Sequence, residues 1–190
     1  MTKITFAAMD GSLRNFGVAK MCYDTDTGEL SVMDLFLTKT EKSKVKSVRA
    51  SSDNLARSQS IASALKEQLK DCSIVFAEVP SGAQDAKAAL SFGIVIGLYA
   101  SIEPELIEVS PYETKLAAVG TKTASKQEMI NWAVEKFPGA PWRTVKRNGE
   151  LQPTLDNEHL ADAVAIAHAG IKTPQFRQMT AMFNAVRNAA

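Results

Sequence analysis

"ITFAAMDGSLRNFGVA" (residues 4–19) opens as a nearly unbroken apolar run, places a carboxylate at Asp10, turns through Gly11 and Ser12, and resumes as a second apolar run at Phe16. A strand that is apolar on both faces belongs in the middle of a sheet, covered on either side. Asp10 therefore ends a buried strand. A carboxylate there is costly unless it is paired, protonated or bound to a cation.

Working outward, "FGVAKMCYD" and "ELSVMDLFL" flank "TDTG", whose Asp, Thr and Gly are turn chemistry, so three consecutive antiparallel strands are expected. Residues 38–52, "TKTEKSKVKSVRASS", interleave Lys39, Lys42, Lys44, Lys46 and Arg49 with Ser and Thr. That pattern suits a solvated loop or one that contacts phosphates. From Ser52 to Leu69, the spacing of Leu55, Ile61, Ala62, Leu65 and Leu69 predicts an amphipathic helix started by a Ser-Ser-Asp cap. "SIVFAEVP" is a short buried strand ending in Glu78 and stopped by Pro80.

The helical spacing of "AQDAKAALSFGIVIGLYASI" is followed by a strand, "ELIEVSP", and by a short helix, "PYETKLAAVG", begun at Pro111. Ser125 or Thr123 caps the next helix, "KQEMINWAVEKF". Residues 138–157 are polar and basic, with Arg143, Lys146 and Arg147 around a turn at Asn148 and Gly149. "DNEHLADAVAIAHAG" is a helix, and "PQFRQMTAMFNAVRNA" a C-terminal helix or tail. This order predicts a mixed α/β sheet, not an all-parallel one, in a single domain.

Lys plus Arg number 22 and Asp plus Glu 21, a formal charge of +1, so any nucleic-acid footprint must be local. The two cysteines, Cys22 and Cys72, lack metal-site spacing and are read as reduced packing residues. The N-terminus has no secretory-leader pattern, and no segment reaches the roughly 18 apolar residues that span a bilayer. The expectation is a cytoplasmic protein with no membrane partner.

Three apolar elements carry isolated acids: Asp10, Glu78 and, inside "HLADAVAIAHAG", Asp162. Leu160, Val164, Ala167 and Ile171 stack on one face of that helix, while His159, Asp162, Ile166 and Ala169 share roughly the opposite one. A helix apolar nearly all round is buried, so Asp162 needs compensation. Each acid alone has an ordinary structural reading as a cap, an ion-pair partner or a backbone acceptor. Together on buried elements they would repel, and a divalent cation is the natural neutraliser. Hard oxygen donors at strand ends suit Mg²⁺ and phosphoryl transfer, and His159 could ligate metal or position water.

With these residues in place, the sequence resembles a RuvC-type Holliday junction resolvase of the RNase H-like superfamily. "AAMDGSLRNFGVA" resembles the family's opening strand, turn and second strand, with Asp10 as first acid. "VFAEVPSGAQDAKAALSFGIVIGLYA" resembles its catalytic Glu, loop and Gly-containing helix, with Glu78 as second. "ELIEVSPYETKLAAVGTKTASKQEMINWAV" resembles its strand, short helix, basic loop and next helix, and "HLADAVAIAHAG" its closing helix with two metal-site residues, here His159 and Asp162. The resemblance covers residues 4–170, so residues 1–170 are expected to be the nuclease domain and 171–190 a C-terminal helix or tail.

The resemblance implies a five-stranded mixed sheet, three antiparallel hairpin-linked strands plus two parallel ones, flanked by helices. It implies an endonuclease in recombination or repair whose Asp10, Glu78, His159 and Asp162 bind Mg²⁺, with Mn²⁺ as a substitute. Paired symmetric nicks in four-way junction DNA would leave 5′-phosphate and 3′-hydroxyl ends. Lys122 and Lys126, with Lys115, Arg143, Lys146, Arg147, Lys44 and Lys46, would hold phosphates. A homodimer is implied, and the helix from Ala83 to Ile102 is the candidate interface, or else core. Where the family carries an aromatic wedge, Ser81 stands instead, beside Pro80 and Gly82, which keeps a broader debranching nuclease as the alternative. "MDGS" also resembles the first phosphate loop of actin-like ATPases, but 190 residues do not offer the second lobe. A non-catalytic DNA-binding module fits less well, because all four site positions are present.

Overall fold

A computed structural model describes residues 3–189, with side chains through residue 187. β1 (Lys3–Gly11), β2 (Asn15–Asp24) and β3 (Leu30–Lys39) form an antiparallel meander. β4 (Ile74–Ala77) and β5 (Glu105–Glu108) add in parallel beyond β1, giving the five-stranded order β3-β2-β1-β4-β5. β1 is thus the central strand, and it has a core on each face as its apolar run requires. Phe6 and Ala8 join one core, and Ala7 and Met9 join the other.

On the Ala7 and Met9 side lie α1 (Ala50–Gln68) and α2 (Ala86–Ala100), which bring Ile61, Leu65, Val95 and Leu98 to that core. The opposite face is covered by α5 (Glu158–Gly170), flanked by α3 (Pro111–Val119), α4 (Lys126–Lys136) and α6 (Pro174–Ala189). α5 is buried nearly all round, from Leu160 to Gly170, as its composition demanded. Phe6, Phe76 and Phe176 are at most 1% exposed and meet edge to face. Each ring contributes about 2–3 kcal/mol of burial. Phe176 thereby roots α6 in the main core. Gly170 allows this approach, since a Cβ there would lie 2.4 Å from the Phe76 ring.

Several local expectations are corrected. α1 begins at Ala50, and its N-cap, Arg49, makes no side-chain cap bond. The expected Ser-Ser-Asp cap lies inside the first turn, because Asp53 turns inward to accept from the Ser43 amide at 2.8 Å. Leu55 is 60% exposed: the face of α1 that meets the sheet carries Ile61 and Leu65 instead. Ser125, not Thr123, caps α4, in a reciprocal box with Glu128. Residues 144–153, read as a turn within a basic stretch, form a separate hairpin of β6 (Thr144–Arg147) and β7 (Glu150–Pro153). Both cysteines are free and half-buried. No helix among the described residues is long and apolar enough to cross a membrane.

Candidate active site

The parallel register of β1 and β4 pairs Ala8 with Phe76 and Met9 with Ala77, so Asp10 and Glu78 leave the sheet side by side. Because side chains alternate along a strand, both acids emerge on the face that holds Phe6, Phe76 and α5. The same face meets the first turn of α5. Asp10 is paired across β2 with Gly17, and a Cβ on Gly17 would lie 2.4 Å from the His159 carbonyl oxygen. The missing side chain lets α5 approach at the level of Asp10. His159 Nδ1 donates to Asp10 Oδ2 across 2.5 Å, with both side chains about three-quarters buried.

Asp162 lies one turn further along α5. Burial, followed by the charges of Asp10 and Glu78, pushes its carboxyl up to about 7. Burial likewise holds Glu78 above the usual carboxylate range, opposed by the neighbouring Thr114 hydroxyl and reinforced by the charge of Asp10. The hydrogen bond to Asp10 holds the His159 imidazole above its ordinary value. Three carboxylates therefore face one space, and the charge of Asp10 penalises the ionised forms of Glu78 and Asp162. Among the described residues, no three histidine, cysteine or carboxylate side chains are arranged to hold a metal ion as they lie. The donor chemistry nevertheless suits a hard divalent cation: oxygen ligands, partial burial and mutual repulsion that a cation would relieve.

The proposed phosphate-binding cations fall into distinct groups. Lys115 lies near enough to Glu78 to favour its ionised form. Lys126 pairs with Glu158 at 2.5 Å, at the start of α5, and Lys122 Nζ sits 4.2 Å above the Tyr112 ring. Lys44 and Lys46 are exposed in the loop between β3 and α1. That loop is tied down at its base, where Arg57 donates to the Thr40 hydroxyl and to the Leu13 carbonyl. Arg143, Lys146 and Arg147 belong to the β6–β7 hairpin and its neck, all exposed. Lys39 joins the two basic segments through a 2.7 Å ion pair with Asp156. Ser81 is exposed in the loop after Glu78, next to Gly82 at φ +72°.

Sequence reasoning missed Thr114, which lies beside Glu78, Asn157, bonded to Arg143 and Thr154, and Arg57, bonded to Thr40 and Leu13. Thr114 is 2% exposed beside Glu78, and Asn157 is fully buried two residues before His159. The only local signal for either was a polar residue at the edge of an apolar segment. A recess of about 860 Å³, lined by Leu65, Leu69, Cys72, Ile102 and Pro104, opens at the opposite end of β4, away from the acids.

No protein-family model and no curated protein sequence matches the chain. Among solved structures it is similar to RuvC of Thermus thermophilus, with a TM-score of 0.54 and 16% identity over 88% of this chain and 92% of that one. The same protein in complex with a Holliday junction substrate gives a TM-score of 0.58 and 17% identity, covering 89% and 92%. A Fowlpox virus resolvase in complex with substrate Holliday junction DNA gives 0.55 and 12%, covering 90% and 100%. What is shared at these identities is the fold, which is RNase H-like over nearly the whole chain.

Proposed function

We propose that the protein is a metal-dependent, structure-selective endonuclease acting on four-way DNA junctions, with Asp10, Glu78, His159 and Asp162 as its catalytic set. The observation that carries this reading is the meeting of Asp10, Glu78, Asp162 and His159 at the ends of two adjacent parallel strands, where burial and the charge of Asp10 disfavour the ionised forms of Glu78 and Asp162. The fold, which is that of two resolvases solved with junction DNA, supports the choice of substrate.

Asp10, Glu78, Asp162 and His159 would hold Mg²⁺, or Mn²⁺ in its place, and the bound ion would activate water and neutralise charge on the scissile phosphate. Asp10 Oδ2 and His159 Nδ1 are bonded to each other, so ligation through both of these atoms requires that bond to open. The Thr114 hydroxyl, which donates to the Ser110 carbonyl, lies beside Glu78, and Lys115 offsets the charge of that acid. Lys122, Lys126, Lys44, Lys46, Arg143, Lys146 and Arg147 supply phosphate contacts that carry no sequence information and weaken steeply with salt. The ends expected are 5′-phosphate and 3′-hydroxyl.

Two symmetric cuts need two sites, which supports a homodimer. On α2 only Val95, Leu98 and Tyr99 are buried, while Leu90, Gly93, Ile96, Gly97 and Ala100 form an exposed stripe suited to a second copy. A second reading, a nuclease that debranches many DNA structures, is favoured by the loop after Glu78, where Ser81 offers no apolar side chain to the branch point.

Cleavage of a labelled four-way junction beside linear duplex and flap DNA, with Mg²⁺, with Mn²⁺ and with EDTA, tests both readings. Paired, metal-dependent nicks confined to the junction are expected, made by a protein that sediments as a dimer. Asp10→Asn should abolish cutting and retain binding. Cutting of every branched DNA would favour the second reading, and binding without cutting in any metal would remove the catalytic assignment.

A further inference from the structure

The β6–β7 hairpin stands apart from both cores. Every residue of its two strands is exposed, and Leu151 is 71% exposed. An isolated two-stranded hairpin is marginal in water, so this one depends on its turn and its neck. The turn is well made: Asn148 and Gly149 both have positive φ, 49° and 88°, the pattern of a type I′ hairpin turn. At the neck, the Thr154 amide donates to the Arg143 carbonyl at 2.9 Å. The buried Asn157 amide closes the same ring, donating to the Arg143 and Thr154 carbonyls and accepting from the Arg143 amide. Asn157 immediately precedes α5, so the hairpin is rooted on the turn that carries His159 to the acids.

The register decides what the hairpin presents. Lys146 is paired with Leu151, which places an ammonium and an apolar side chain next to each other on one face. Val145, Arg147, Glu150 and Gln152 occupy the other face. With Arg143 at the neck, the segment carries three cations against one acid, Glu150. A single exposed leucine is ordinary. Here it stands beside a lysine at the tip of a basic arm, and four residues per strand put the tip about 13 Å from a neck adjoining the site.

Resting on the junction-nuclease reading, we propose that this hairpin is the element that engages the branch point, with Leu151 packing against unstacked bases while Lys146 grips the neighbouring phosphate. Charge complementarity and continuity with the active site favour DNA as the occupant. Apolar side chains inserted at a base step are an established way to open stacked DNA. Leu151 and Lys146 are positioning residues: they hold the junction open over the acids and take no part in the chemistry.

The test compares wild type, Leu151→Ala and Lys146→Ala on an intact four-way junction and on one with unpaired bases built into its branch point. A 2-aminopurine at the branch point reports unstacking in Ca²⁺. Leu151→Ala should lose about tenfold in cleavage of the intact junction, fail to raise the fluorescence, and recover on the pre-opened junction. Lys146→Ala should weaken both substrates alike and lower the slope of log affinity against log salt by about one. Both side chains are exposed, so the variants keep the fold. Full cleavage and unstacking by Leu151→Ala, or an equal loss on both substrates, overturns the role of the hairpin alone. A wild-type protein that binds no junction in preference to duplex overturns the junction reading and this proposal with it.

Discussion

Gly17 shows how one absent side chain can assemble a site. It is paired with Asp10 across the β1–β2 ladder, and its Cβ position is filled by the backbone of His159. A methyl group at this place meets a carbonyl that cannot rotate away, so α5 must shift. Gly17→Ala is expected to cost about 1–3 kcal/mol in urea denaturation and to cut cleavage disproportionately, because His159 moves with α5. Asp162 illustrates the opposite pressure. Its carboxyl, pushed up to about 7 by burial and two neighbouring acids, is a group the isolated fold would be better without. Under the proposed metal-binding role, a cation from outside the chain would relieve that cost.

Among the elements, α3 is short, nine residues, and carries Thr114 and Lys115 to Glu78. So short a helix relies on its ends. The Ser110 hydroxyl accepts from the Glu113 amide while the Glu113 carboxylate accepts from the Ser110 amide, Pro111 occupies the first turn, and Gly120 closes the helix at φ +73°. Ser110→Ala should lower stability by about 1 kcal/mol, read from urea midpoints, and should slow cleavage by loosening the support of Glu78. The hairpin obeys a different logic. It has no hydrophobic face against the body, so the amide of Asn157 and the backbone conformation of Asn148–Gly149 hold it in shape.

At the scale of the whole molecule, the last turn of α5 carries His168 against Trp132, with Lys172 Nζ donating to its Nε2 at 3.1 Å. Burial first, then the charges of Lys172 and Lys136, push the imidazole down to about 4. A histidine whose folded value lies below its ordinary 6.5 stabilises the fold fully above pH 6.5 and loses that contribution as pH falls toward 4. Asp162, with its raised value, acts in the opposite sense, since acidification relieves its cost. Urea midpoints at pH 7.5 and pH 5 should therefore fall less for His168→Gln than for wild type. An unchanged drop would show that another group carries the acid sensitivity.

The sequence by itself determined the strand meander, the central place of β1, the burial of α5 and the positions of Asp10, Glu78 and Asp162 within apolar segments. These follow from the period and composition of contiguous residues, which short-range physics dictates. Tertiary structure alone decided that Asp53 would leave its capping role for the Ser43 amide, that Leu55 would face water, and that Phe176 would carry α6 into the core. It also decided that Gly17 would admit α5. Each of these depends on a partner outside the residue's own element, or on which of two chemically similar faces meets the sheet. The pairing of residues 144–153 is different: it is local, set by the Asn148–Gly149 turn, and its signal lies in the sequence, although only the turn is read there. Hydrophobic pattern marks which residues leave water, but close packing and the pairing of polar groups choose their neighbours.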